Sequence, residues 1–416
     1  MNESYTHLTT ADFESLTVTQ RLMFLFISSL LITLAVQIQA SLVVFTPPIL
    51  APVAEADVGI NAAAVGLVTA LIYLTSVPSA FFSGIVIEKL GAIRVSQLCV
   101  LCASIGVSLM ATGNVVAIVL GALIVGLGYG AVTPSSSTVL ADRAPDHLRS
   151  LIFSIKQSGV PIGGAIAGAL VPLMIHFYGW KIAALAIGAI GLFVIVIAQP
   201  IRARLDQDML AGSDGVEKIS LIHPLKLVMS HSKLRELATS SFAFSGVQMS
   251  LGSYLVVMLI ERAQLSVSVA GSALSIAMIA GIGGRLFWGV LADYGFSART
   301  VLGFLGLLMG MSAFSVGLID EGLSIVFIYI FAFIFGASAI GWNGVYLAEV
   351  ARIAPKGQAG TATGASLAMT YSGVVIFPSI FWMIHHFTSS YVVGFLTLGL
   401  IALWRGFLFF RKMSMD

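Results

Sequence analysis

Two basic side chains fall where a charge is costly. Arg285 stands eight residues before Asp293 inside an apolar run, and Lys156 stands seven residues after Arg149 inside another. At a rise of ~1.5 Å per helical residue these depths are about 12 Å and about 10 Å. An isolated charge so deep in a bilayer costs a few kcal/mol and usually marks function. All 19 acidic residues fall in tails, loops or run ends, so no carboxylate of the chain stands at matching depth. The natural partner is an anion from outside the protein, and arginine presents a planar fork suited to a carboxylate. A structural role is the alternative: Arg285 bonded to helix carbonyls, and Lys156 carried inward by a snorkelling stem. No catalytic constellation stands out, and neither a cofactor nor a metal is expected. Cys99 and Cys102 form a CxxC pair inside the apolar run Val95–Gly113, with no His, Asp or further Cys beside them. They read as small apolar residues rather than a redox or metal pair. His176, His385 and His386 sit at run ends, where hydration accounts for them.

The elements that must carry these cations follow from composition. Of 416 residues, 58% are hydrophobic and 10% charged, against roughly 45–50% and about 25% in an ordinary soluble domain. Mean hydropathy is +1.01. A soluble chain this apolar could not cover its own surface with polar groups. Soluble enzymes, nucleic-acid binders, disordered chains and small secreted scaffolds are thereby excluded, and the net charge of +2 is too small to imply a polyanionic partner. An all-α polytopic membrane protein remains.

Apolar runs near Leu22–Pro47, Ala62–Gly84, Val95–Gly113, Val115–Leu140, Leu151–His176 and Lys181–Pro200 precede a polar stretch, Ile201–Glu236. Six more lie near Leu237–Ile260, Val269–Ala292, Val301–Leu318, Ile325–Val350, Ala362–His385 and Tyr391–Phe410. Each is long enough to span. The expected organisation is a tail (1–21), a six-helix bundle (22–200), a linker (201–236), a second six-helix bundle (237–410) and a short tail (411–416). With the amino terminus inside, 17 of the 21 basic residues fall on the inner side, and only Lys181 and Arg262 on the outer. That bias places both termini in the cytoplasm. The first 20 residues lack a cleavable signal pattern and read as a cytoplasmic tail. A multi-pass protein of the cell (inner) membrane follows, monomeric, in contact with lipid and with no nucleic-acid partner.

The two halves repeat. Gly84-Ile-Val-Ile-Glu88 matches Gly289-Val-Leu-Ala-Asp293, and Gly66 matches Gly271, both at an offset of 205. Leu140-Ala141-Asp142 matches Leu347-Ala348-Glu349 at 207, and Met174-Ile175-His176 matches Met383-Ile384-His385 at 209. Each half spans six times, so the repeat is parallel, as in two halves that rock against each other. At these residues the chain resembles the major facilitator superfamily. Its loop signature, Gly-x-x-x-Asp-Arg/Lys-x-Gly-x-x-Arg, reads here as Gly84, Glu88, Lys89, Gly91 and Arg94. The second copy is shorter: Gly289, Asp293 and Gly295. The resemblance implies twelve transmembrane helices in two pseudo-symmetric halves and secondary transport.

Several residues take expected roles within that frame. Glu88, Lys89, Arg94, Asp142, Arg143, Arg149, Asp293, Glu349 and Arg352, with Gly84, Gly91 and Gly289 allowing close helix approach, are expected to form a cytoplasmic gate. A set of solvated loop charges is the alternative. Gly159, Pro161, Gly163 and Gly164 form a degraded version of the fifth-helix antiporter motif, either a hinge or a tight packing face. Monocarboxylate, oxalate/formate and nitrate/nitrite members of the superfamily carry a substrate-binding Arg eight residues before the carboxylate position of helix 8, the spacing of Arg285 and Asp293. The chain has Gln37 and Gln39 where the monocarboxylate type has a lysine, and Ala80 where the nitrate type has a second Arg. Because helices 1, 4, 7 and 10 line the cavity in this superfamily, the resemblance adds Gln37, Gln39, Ser135, Ser136, Gln248, Tyr254, Trp342, Asn343 and Tyr346 as candidates, with Tyr73 and Tyr371 beyond them. The expected activity is transport of a small, monocarboxylate-like organic anion, as symport or exchange, with a proton able to enter on the anion itself. Export of drugs or metabolites is the alternative, and the lack of a buried carboxylate in helix 1 argues against its cation-exporting form.

Overall fold

The computed structural model describes residues 18–141, 152, 155–210, 222–355 and 359–411. Asp142, Arg143 and Arg149 lie outside these residues, as does the side chain of Glu88. Among the described residues all regular structure is helical: α1 (Val18–Val58), a 3-10 turn (Ala62–Ala64), α2 (Val65–Leu90), α3 (Ala92–Met110), α4 (Val115–Ala141) and α5 (Gly159–Leu210). After it come α6 (Ile222–Ser230), α7 (Ser232–Glu261), α8 (Val267–Tyr294), α9 (Ala298–Ser315), α10 (Ile325–Ala339), α11 (Asn343–Ile353), α12 (Ala359–Thr388) and α13 (Tyr391–Leu408). Serine hydroxyls start three of them: Ser266, Ser297 and Ser390 accept from the third backbone N–H of α8, α9 and α13, satisfying donors that a helix start leaves unpaired.

Eleven helices among the described residues are long and apolar enough to cross a bilayer. The longest such stretch, Ile155–Arg202, has 48 residues and would measure about 72 Å as one rod. It is not one rod. Gly179 has φ 79° and ψ 165°, a conformation open essentially to glycine alone. Just past that break, Trp180 Nε1 donates to Asp57 Oδ2 at 3.0 Å and Lys181 Nζ lies 3.4 Å from the same oxygen, clasping the bend to the end of α1.

Element bounds differ from the sequence expectation at three places. The first run was expected to end at Pro47, yet α1 continues through Pro47, Pro48 and Pro52 to Val58; neighbouring helices bury Ile49 and Leu50 and hold it despite the lost donors. The polar stretch 201–236 is largely helical where described, because α5 runs to Leu210 and α6 precedes α7. The run 325–350 is broken at Ile340–Trp342, between α10 and α11. There Gly341 packs so closely that an added Cβ would lie 2.2 Å from the Ala337 carbonyl oxygen and 2.9 Å from Trp288 Cδ1.

The helices up to Leu210 and those from Ile222 meet through α2 against α12, α5 against α8 and α1 against α7. These contacts concentrate toward the end away from the termini. Thr69 and Ser253 hydroxyls are 3.0 Å apart. Tyr254 donates to the Pro378 carbonyl at 2.7 Å, directly over Gly66. A Cβ on Gly168 would sit 2.4 Å from the Gly271 carbonyl oxygen, and one on Gly271 would sit 2.4 Å from that of Gly168. Gly66 and Gly271, matched in the repeat, thus each bring their helix against the other set. At the terminal end the matched pair Gly84 and Gly289 have open space where a Cβ would go, and Tyr294 is 88% exposed. Among the described residues the two helix sets are closed at one end and parted at the other.

Overpacking a close approach costs about 1–3 kcal/mol. Gly168→Val is therefore expected to loosen the closed end. In a Thr69→Cys background, labelling by a membrane-impermeant maleimide should be several-fold faster with Gly168→Val than without it; equal rates would show that the contact does not hold the seal.

Candidate functional site

Arg285 lies at the centre of the molecule, half-buried on α8. Its Nε donates to the Ile340 carbonyl at 3.2 Å and its Nη1 to the Gln157 carbonyl at 3.3 Å. Both acceptors exist because a helix is interrupted. Gln157 would ordinarily receive the amide of residue 161, but that residue is Pro161 and has no N–H. Ile340 stands at the break between α10 and α11, where its carbonyl also receives Asn343 Nδ2 at 3.4 Å. One guanidinium therefore joins the two helix sets through two neutral carbonyls. Among the described residues it makes no ion pair.

Lys156 is fully buried. Its Nζ donates to Gln157 Oε1 at 3.1 Å and approaches Thr133 Oγ1 at 3.4 Å. Thr133 is 3.5 Å from Gln37 Oε1, and Gln37 Nε2 is 3.4 Å from Ser41 Oγ. These are long contacts in a loose polar chain with no carboxylate in it. The two cations meet on one residue, Gln157, Arg285 at its main chain and Lys156 at its side chain. The Tyr129 hydroxyl faces Ser41, Tyr73 and the guanidinium, and its ring stands edge-on to that of Tyr73 at 5.5 Å. On the other side Gln248 Oε1 accepts from Trp342 Nε1 at 3.0 Å and Asn343 Nδ2 at 3.1 Å, and Trp342 packs on Tyr346 at 5.2 Å. The arrangement can bind a small anion against cations, hydroxyls and aromatic rings.

Other expected residues lie elsewhere. Gln39 points away from Gln37 and donates to the Ile187 carbonyl at 2.9 Å, between α1 and α5. Tyr254 belongs to the closed end, stacked on Phe381 at 4.0 Å. Ser136 and Ser135 bond the Val132 carbonyl of their own helix, and Ser135 also meets Ser96. Gly159 and Gly163 pack on α1, and Gly164 packs on Met278 of α8. The described gate residues are apart: Lys89, Arg94 and Asp293 are exposed and make no ion pair among the described residues, while Glu349 pairs with Arg352 on its own helix. Gly91 has φ 87°, and a Cβ there would also strike Asp206, 2.3 Å from its Cγ.

Sequence reading missed Gln157, Thr133 and Tyr129, which carry no charge to single them out. It also missed the role of Asp206, whose carboxylate accepts from the Ile93 and Arg94 amides at 2.8 and 3.1 Å and so caps α3 from 113 and 112 residues away. Its one legible hint was an acid just past the sixth apolar run.

Broken helices around a polar centre, closed at one end and parted at the other, define a polytopic membrane protein of the transporter class. The chain belongs to the Major Facilitator Superfamily, whose family model matches residues 25–378. It is 22% identical over 386 residues to a hexuronate transporter of Bacillus subtilis, covering 86% of this chain and 87% of that one. It is 28% identical over 298 residues to a 4-hydroxybenzoate transporter of Pseudomonas putida, covering 64% and 66%. A bacterial homologue of the lysosomal transporter Spinster, solved inward-facing and unoccupied, superposes with a TM-score of 0.72 at 17% identity over 93% of this chain and 96% of that one. The family consists of transporters, not enzymes.

Removing a buried acceptor that serves two donors costs about 1–3 kcal/mol. Gln248→Leu should lower the thermal unfolding midpoint as Trp342 and Asn343 lose their acceptor, whereas Gln248→Glu, which keeps an acceptor, should lower it less; equal losses would show that the acceptor does not matter.

Proposed function

We propose that this chain is a secondary active transporter of a small, monocarboxylate-like organic anion, working by rocker-switch alternating access. The meeting of Arg285 and Lys156 on Gln157, with no carboxylate beside them among the described residues, carries the reading. A substrate carboxylate would exchange neutral carbonyl acceptors for a charged one, and charge-assisted hydrogen bonds are roughly twice as strong. Two relatives are named for carboxylates, a hexuronate and a hydroxybenzoate. Tyr73, Tyr129 and Trp342 supply faces for the organic part.

On this reading the two arms of α5 on either side of Gly179 are separate crossings, so the eleven long apolar stretches of the described residues make twelve crossings, six and six. The basic-residue bias places the termini in the cytoplasm of a cell whose inner membrane holds the protein, so the parted end faces inward. The protein works as a monomer. Glu88, Lys89, Arg94, Asp142, Arg149, Asp293 and Glu349 come together when that end closes, with Gly84, Gly91 and Gly289 permitting the approach, and α5 bends at Gly159–Gly164. A proton enters on the anion or exchange operates instead.

The test is uptake of labelled 4-hydroxybenzoate and other monocarboxylates into proteoliposomes. Arg285→Ala removes charge-assisted bonds worth about 1.5–3 kcal/mol and should lower uptake about 10- to 100-fold. Arg285→Lys, keeping charge but not the fork, should fall between. Full uptake by Arg285→Ala would falsify the reading. For the gate, Asp293→Asn should raise labelling of a cysteine at position 84 from the inner side; unchanged labelling and transport would make these residues ordinary loop charges.

A further inference from the structure

A second charged recess lies at the terminal end, away from Arg285. It encloses about 450 Å³ between the first turn of α7, the start of α9, the end of α11 and the residues just past α13. Its lining includes Lys233, Arg299, Arg352 and Arg411 against two acids, Glu236 and Glu349. Both acids are already occupied. Glu349 is held by Arg352 Nε at 2.7 Å and Nη2 at 2.6 Å. Glu236 is gripped by both terminal nitrogens of Arg299, whose Nη2 is 2.9 Å from Oε1. Arg299 also donates to the Phe409 carbonyl at 2.8 Å and the Leu408 carbonyl at 3.2 Å, so its fork is spent on the end of α13.

The internal pairs leave Lys233 and Arg411 without an ion pair among the described residues. The recess keeps a formal charge of +2 on a floor whose acids cannot turn to neutralise it. Its walls are fixed by bonds between helices. Its rim is apolar: Phe410, 42% exposed, packs edge-on to Phe304 of α9 at 5.3 Å. A basic recess at the ends of membrane-crossing helices, with an aromatic rim, lies at the depth of lipid headgroups.

We propose that this recess binds a phosphate-bearing anion, held by Lys233 and Arg411 and flanked by Arg352. The phosphate can come from an acidic phospholipid headgroup or from a soluble phosphate. In either case the ligand ties α7, α9, α11 and α13 together at the terminal face. The site is independent of the transported substrate and stands or falls separately from it.

The test uses the full purified chain and a Lys233→Gln/Arg411→Gln variant, which leaves both internal ion pairs in place. Thermal unfolding is followed in phosphatidylcholine alone, in phosphatidylcholine with phosphatidylglycerol, and in phosphatidylcholine with inorganic phosphate at constant ionic strength. A rise of about 2–4 °C in the parent, absent in the variant, supports the site. A rise with phosphatidylglycerol only identifies a headgroup; a rise with inorganic phosphate identifies a soluble ligand. A Lys233→Arg variant should respond as the parent does, which separates lost charge from lost folding. No rise in the parent with either additive, or an equal rise in the double variant, overturns the proposal.

Discussion

A half-buried guanidinium held by two backbone carbonyls organises this molecule. A cation at mid-bilayer needs acceptors, and a regular helix has none to give, because each carbonyl already receives the amide four residues on. Carbonyls become available only where a helix is interrupted. Pro161, in the first turn of α5, has no amide to give and leaves the Gln157 carbonyl free; the Ile340–Trp342 break frees Ile340. Each break would be a defect in isolation. Together they form a seat for Arg285, with one side contributed by each helix set. Features that look like packing irregularities, a proline near a glycine run and a glycine jammed against the next helix, are conditions for the charge to be there.

The closed end depends on a different constraint, the distance at which two backbones can approach. Without a hydrophobic driving force between helices in lipid, small residues and direct backbone contact supply the attraction. Gly168 faces Gly271 and Gly66 lies under Tyr254, with carbonyl oxygens where side chains would otherwise stand. Gly66 and Gly271 match in the sequence repeat, and the contacts give a reason for the match. Each sits early in the second membrane-crossing helix of its set and meets the opposite set. The repeat records one interface used twice.

The sequence was informative where physics acts on a whole segment and uninformative where it acts on one side chain. Apolar runs, the unequal distribution of basic residues and the interior position of Lys156 and Arg285 are segment properties, set by the cost of polar groups in hydrocarbon. The direction in which a polar residue faces is not. A helix apolar on all sides has no periodic stripe to orient it, so Tyr254 and Tyr346 looked alike, although one seals the closed end and the other packs on Trp342. One separation was readable in advance: Gln37 and Gln39 are two apart, and residues two apart on a helix do not share a face. Gln37 reaches Thr133, while Gln39 reaches Ile187. Pro161 was the sequence sign that the missed Gln157 carbonyl would lack its amide, since a helical proline gives no hydrogen bond to the carbonyl four residues before it. The break at Ile340–Trp342 had no such marker, because Gly341 is one glycine among 42 in the chain.

Neutral acceptors also bear on how a transporter can both hold and release an anion. An internal carboxylate beside Arg285 would satisfy it so well that an incoming anion would have to displace an equal competitor. Carbonyls keep the cation in place without cancelling its charge, so the gain on binding is the difference between a charged and a neutral acceptor. The Gln157 bond adds a further consequence. It crosses between the helix sets, so on the proposed mechanism their relative motion must break it or carry it along. An anion that takes over the guanidinium removes that tether. Substrate binding and the loosening of the centre are then one exchange of hydrogen bonds at a single side chain, with Lys156 on the same glutamine to share the charge.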